Sequence, residues 1–315
     1  MTPREHSRFT LGDWNHKASV RTSQHDYRLP ADLEQQLLTR DWFPPAFLPY
    51  LQHPQIQAAG PSVIQRLTAN HLVYFLDYTT LLEHRVVNRA VEVILHDPLG
   101  VPIPQAMKTA ALQLYTDEGY HALFSDTLAE QIATRYGIER PPRLPWRIQR
   151  LLVLVAQTPD EHKPLTWLVI GFVSETIIAK ELLDIARNAL VSSVYQMLRD
   201  HLEDEARHSR YFCEVFAYVW AALAPDRQRY IADRLHDVIG LFFELDAPWL
   251  SDSLASVGLD EMTRAQIVEG YGHPDAQRQR VRHGAASTLK ALRRCGFFDD
   301  LERQQLFLKA GFIDA

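Results

Sequence analysis

The chain has 315 residues, 46% of them hydrophobic and 23% charged, a balance that suits a folded protein with a large core and excludes extended disorder. Its net charge of −6 and isoelectric point near 6.2 argue against nucleic acid or an anionic membrane as the main partner. Only two cysteines occur, Cys213 and Cys295, in no paired spacing, so no disulfide framework is expected and the chain reads as cytoplasmic.

The start, Met1 to His6, has no apolar signal core. The most apolar stretch, 167–179, carries Ser174 and Glu175 and is too short to span a bilayer. Residues 1–60 are polar and proline-bearing, and they read as an irregular arm packing on the remainder, with one short helix over 31–39. Beyond Pro61 the texture changes. Apolar residues recur at spacings of three and four, which predicts long amphipathic helices over 63–96, 104–136, 164–189 and 191–223. A shorter apolar piece, 146–155, lies between the second and third.

Asp97-Pro98 and the residues to Pro102 should stop the first long helix, and Gly137 with Pro141-Pro142 the second. Pro164 suits the first position of the third. Further helices are expected over 226–245, 259–269 and 276–294. Two similar phrases near the end, closing on Gly296 and Gly311, read as helix C-termini capped by glycine. No strand pattern stands out. The expected class is all-α, with one helical domain over 61–315 carrying the arm.

The chemistry lies on the second and fourth long helices. The second contains Asp117-Glu118-Gly119-Tyr120-His121, and the fourth contains His201 and then Asp204-Glu205-Ala206-Arg207-His208. Residues three or four apart share a helix face, so Glu118 with His121, and His201, Glu205 and His208 together, can each grip a cation. Carboxylate with imidazole suits iron or manganese. One Glu-x-x-His arises often by chance on a solvated helix, but two on long helices, each preceded by Asp, are far more specific. Asp117 and Asp204 are placed to orient a metal-bound imidazole on a neighbouring helix.

A carboxylate-bridged dimetal site in a four-helix bundle needs two such helices plus one inward Glu from each of two others. Glu175 lies on the stripe Leu168, Phe172, Ala179, Leu182, and Glu83 on the stripe Leu72, Leu76, Val87, Ala90. Four converging carboxylates in a core require positive charge, and no Lys or Arg shares those faces nearby. Two ferrous ions match that charge.

These residues resemble the ferritin-like diiron oxygenases, and specifically the p-aminobenzoate N-oxygenase (AurF-like) family. The resemblance implies a ferritin-like four-helix bundle with extra N- and C-terminal helices. It implies seven metal ligands: Glu83, Glu118, His121, Glu175, His201, Glu205 and His208, with His201 as the one beyond the usual six. It covers about 53–223 well, including His53-Pro54. Where aminobenzoate-specific members carry an arginine for the substrate carboxylate, this chain offers His283 beside Arg282 as the substrate anchor.

The implied activity is N-oxygenation. Two irons with O2 and an external electron donor would oxidise a free or carrier-bound amine to the hydroxylamine, nitroso or nitro level in natural-product biosynthesis, in a homodimer. Two alternatives stand beside it. One is a diiron C–H hydroxylase, desaturase or oxidative cleavage enzyme, and the other is iron storage or sensing. Outside the constellation, His53, His71, His84, His96, His162, His236 and His273 read as surface or hydrogen-bonded structural groups. The basic run around Arg278–Arg282 reads first as a solvated helix face.

Overall fold

The arm is a string of short turns. In the computed structural model, which describes residues 9–23, 26–96, 99–140, 143–187 and 189–314, it forms α1 (Trp14–Lys17), α2 (Ser19–Thr22) and α3 (Leu33–Gln36). Two 3₁₀ turns (Pro45–Phe47 and Pro49–Gln52) and α4 (Pro54–Ala59) follow. The helix expected over 31–39 is therefore only one turn. Leu33 is its sole buried residue, and a single apolar anchor cannot hold a longer helix against the cost of nucleation.

The long helices form where the periodicity places them. The first is α5 (Pro61–Leu82), continued through a π-turn (Glu83–Val87) into α6 (Asn88–Leu95). The others are α7 (Gln105–Tyr136), α9 (Lys163–Ile185) and α10 (Ser192–Ala222), with α8 (Trp146–Gln157) between α7 and α9. Pro61 opens α5, Pro164 is the second residue of α9 rather than the first, and left-handed Gly137 (φ 59°) ends α7. The breaks expected at Asp97-Pro98 and Pro141-Pro142 lie outside the described residues.

The C-terminal extension contains α11 (Pro225–Phe242), α12 (Ala247–Ala255), α13 (Glu261–Gly272), α14 (Pro274–Gly284), α15 (Ala286–Arg294) and α16 (Leu301–Lys309). The single helix expected over 276–294 is two. The chain bends at Gly284, where a Cβ would fall 2.4 Å from the Phe243 ring. Helix α12 was not expected, although Asp246 caps it by accepting from the Trp249 amide at 3.1 Å. Gly296 (φ 73°) and Gly311 (φ 72°) take the left-handed conformation their phrases predict. No helix is long and apolar enough to cross a membrane among the described residues.

Helices α5–α6, α7, α9 and α10 make the bundle. The pairs α9 with α10 and α5 with α7 pack most extensively, while α6–α9 and α7–α10 close the square. The fold is all-α and ferritin-like; one parallel bridge, Asp41 to Leu190, is the sole strand-like pairing among the described residues. The core has two parts. Met107, Leu114, Phe172, Phe212 and Phe216 belong to one, and Leu72, Leu76, Phe124, Leu182 and Leu198 to the other. Between them every bundle helix carries its acids and imidazoles, so a polar layer divides the apolar interior.

Candidate metal centre

That layer is dry. Glu83, Glu118, His121, Glu175, His201, Glu205 and His208 are each at most 1% exposed, as are Asp117 and Asp204. Helical spacing stacks Glu118 and His121 on α7, and His201, Glu205 and His208 on α10. Glu83 begins the π-turn. Its side chain is buried, while the next two residues, His84 and Arg85, face solvent.

All seven residues come together. The sets Glu83, His121, His201, Glu205 and Glu118, His121, Glu205, His208 each offer ligand atoms lying within 4.8 Å of one another. Glu175 stands beside the second set, with Oε2 3.7 Å from His208 Nδ1. His208 Nδ1 lies 2.9 Å from Glu118 Oε1 and 3.1 Å from Glu205 Oε1. His201 Nε2 lies 2.8 Å from Glu83 Oε1, yet neither atom has hydrogen-bond geometry.

Both oxygens of Glu83, Glu118 and Glu175, one of Glu205, Nδ1 of His121 and both nitrogens of His201 are buried without a hydrogen-bond partner among the described residues. Such orphaned groups cost about 1–3 kcal/mol each, more when charged. Their ligand atoms are gathered in one space and largely unsatisfied there, so the residues fit a pair of cations.

The outer faces of two imidazoles are held reciprocally. His121 of α7 meets Asp204 of α10 through Nε2 at 3.1 Å, and His208 of α10 meets Asp117 of α7 through Nε2 at 3.0 Å. With Nε2 protonated and donating, Nδ1 of each ring is left free toward the centre. Asp204 accepts in addition from the Ser19 amide and Arg207, and Asp117 from the Trp14 indole N–H at 2.9 Å. Trp14 and Ser19 were not expected at the site. Nothing in the arm's composition marks them.

Protonation without metal follows from this crowding. Burial, then Glu205, pushes Glu118 up to about 7, and burial, then Glu205 and Glu118, pushes Glu175 well above its ordinary value. For His121 burial opposes the charge, but Asp204 and Glu205 outweigh it and hold the ring protonated; for His208, Glu205 and Asp117 do the same. Burial works against Glu205 as well, yet His208 and its other histidine partners keep it ionised.

Ligated iron cannot share those protons, so ferrous binding should strengthen as pH rises through about 7 and weaken below it. The metal-free chain runs the other way. A carboxyl raised to about 7 stabilises the fold fully below its unfolded value and loses that contribution as pH rises through 7. The melting-temperature gap between iron-loaded and metal-free protein should therefore widen from pH 6 to pH 8, by about 5 °C or more. A constant gap in thermal scans would contradict this protonation pattern.

The two residues expected to anchor substrate are at the surface. Arg282 pairs with Asp314 at 2.7 Å and donates to the Gly311 carbonyl, and His283, 64% exposed, pairs with Asp184 at 2.8 Å. Another basic group, half-buried, is Arg147 of α8. Its guanidinium lies 5.6 Å over the Tyr78 ring and its Nε donates to the Glu244 carbonyl at 3.2 Å. Burial pushes the Tyr78 phenol upward in pKa, and the phenol also feels the charge of Glu83. Glu181 and Tyr74 are also within its electrostatic reach. Arg147 is one of two arginines on a short helix, beside Arg150, and gave no signal in the sequence. His71 differs from expectation too: it packs among Phe43, Tyr74 and Trp249, and burial, then Arg147, lowers its pKa to about 3.

One comparison bears on identity. The sequence model of the family described as P-aminobenzoate N-oxygenase AurF matches residues 14–296, most of the chain. No individual curated protein matched.

Proposed function

This chain belongs to the p-aminobenzoate N-oxygenase AurF family of diiron enzymes, and on that premise we propose that it uses O2 and an external electron donor to oxidise an amine bearing an anionic or strongly polar far end. The proposed iron ligands are Glu83, Glu118, His121, Glu175, His201, Glu205 and His208. The observation that carries the proposal is the convergence of their unpartnered donor atoms in a layer with almost no solvent exposure. When bound, the two irons supply the O2 chemistry and oxygen transfer to nitrogen.

The chain's own residues prepare that chemistry. Asp117 and Asp204 hold His208 and His121 in one tautomer and orientation. Phe124, whose ring lies 5.3 Å from His121 and 5.4 Å from His201, helps exclude water, as do the two apolar bodies above and below. Tyr78, whose phenol feels the charge of Glu83, lies beneath Arg147, which donates to the Glu244 carbonyl but has no carboxylate within ion-pair distance among the described residues. In this proposal Arg147 anchors the substrate's far end, the part expected of Arg282 and His283, because those two already pair with surface carboxylates.

Arg147→Met is then expected to raise KM for a carboxylated amine by about 10- to 100-fold, the worth of one charge-assisted hydrogen bond. Iron content and KM for an uncharged amine should stay unchanged. Equal effects on both substrates would remove Arg147 from the proposal. The activity itself is tested by mass spectrometry of reactions in 18O2 with aryl amines, amino acids and carrier-bound aminoacyl groups. Label on nitrogen is expected. Label only on carbon would move the assignment to hydroxylation, and ferric mineral without labelled product would move it to iron storage.

A further inference from the structure

The two reciprocal His–Asp pairs end differently. Beyond Asp204 stand a backbone amide, that of Ser19, and Arg207, neither of which carries an electron readily. Beyond Asp117 stands the indole of Trp14, whose Nε1 lies 2.9 Å from both carboxylate oxygens. Asp117 in turn lies 3.0 Å from Nε2 of His208. Trp14 is only half-buried, so this chain of three side chains runs without a gap from the protein surface to the centre of the polar layer.

The surface around its outer end carries an excess of cations, the adjacent acid Asp13 being paired with His16 at 2.7 Å. Arg21 lies over the Trp14 ring at 5.8 Å, Arg207 donates to the Lys17 carbonyl, and Arg210 donates to the Thr10 carbonyl. Lys17, Arg21 and Arg210 are exposed, and none has an ion-pair partner among the described residues. On a chain of net charge −6, a local group of free cations beside a half-exposed indole favours an acidic partner.

We infer that the arm at Trp14 is the docking site for a small acidic one-electron carrier protein and that Trp14–Asp117–His208 is its route inward. This rests on the diiron reading. The hydrogen-bonded chain passes an electron and has no means of passing hydride, which selects a one-electron carrier. Two reduced carrier molecules dock in turn, and each loses one electron. Two ferric ions each gain one and become ferrous. Each electron tunnels through the hydrogen-bonded indole, which is itself neither oxidised nor reduced, and no bond is made or broken.

The test uses full-length iron-loaded protein oxidised to the ferric state, mixed anaerobically in a stopped-flow instrument with a reduced [2Fe–2S] ferredoxin. Loss of ferric absorbance is followed over a range of carrier concentrations. Trp14→Phe should lower the limiting rate by about tenfold or more, the scale of losing an outer-layer partner of a ligand, with half-saturation and iron content unchanged. Lys17→Glu with Arg21→Glu should raise half-saturation and flatten its dependence on ionic strength, leaving the limiting rate alone.

A merely structural Trp14 would not produce that split. Trp14→Tyr, which keeps a donor for Asp117, should retain more of the rate than Trp14→Phe. Unchanged limiting rates in both Trp14 variants with full iron content would overturn the route. An unchanged half-saturation in the charge-reversed variant would overturn the docking site. Failure of wild-type protein to take up iron in elemental analysis would instead overturn the diiron reading, and the inference with it.

Discussion

Glu175→Ala is expected to reduce bound iron from about two per chain to about one or fewer and to depress turnover by more than ~100-fold, beyond the losses typical of outer-layer partners. No other carboxylate of α9 is buried in the polar layer; Glu181 lies toward Arg147 and Asp184 toward Lys180 and His283. The same substitution removes a buried acid whose proton is held by desolvation and by neighbouring negative charge. Metal-free variant should therefore melt no lower than metal-free wild type, while the iron-loaded variant should melt lower than its counterpart. Elemental analysis beside thermal scans of both forms checks the two halves. A variant that binds two irons and turns over normally would remove Glu175 from the ligand set.

Gly171→Val is expected to destabilise the fold by about 3 kcal/mol, the upper end of ordinary overpacking. Gly171 lies one turn before Glu175 on α9. A Cβ there would fall 2.6 Å from Cβ of Ala90 on α6 and 2.8 Å from the Phe212 ring on α10. Three bundle helices meet at this glycine, and none can move away without carrying a ligand-bearing segment along. Chemical denaturation of the metal-free variant measures the loss, and iron content should fall with it. A loss below about 1 kcal/mol would mean the interior yields there more easily than close packing allows.

Much of this architecture was legible because it follows from periodicity. Glu118 with His121 and Glu205 with His208 are readable from spacing alone, and Glu83 and Glu175 from being acids on apolar stripes. Asp117 and Asp204 were readable as neighbours of those motifs. The structure brings each to the other helix's imidazole. Trp14 and Ser19 were not readable. The arm has no period, and its contacts join residues more than a hundred positions apart, Trp14 to Asp117 and Ser19 to Asp204. Arg147 was hidden for a different reason. Either of the two arginines on a short amphipathic helix looks solvated until the Tyr78 ring is seen beneath Arg147.

The bend of 276–294 was invisible because its cause, the Phe243 ring against Gly284, lies on another segment. The π-turn escaped because five residues, Glu83 to Val87, keep the composition of ordinary helix while changing its winding.

That winding sets a rule about length. In Glu83–Val87 the backbone accommodates one residue more than an α-helix would over the same rise. His84 and Arg85 face solvent, so many side chains should be tolerated at either position. Removing one of them is another matter. A single deletion would remove the widened turn and restore regular winding, leaving α6 facing as it does but re-aiming the buried Glu83 side chain that opens the turn. The segment that looks most permissive in a substitution scan is thus among the least permissive in a deletion scan. What it must preserve is a number of residues, not their identity.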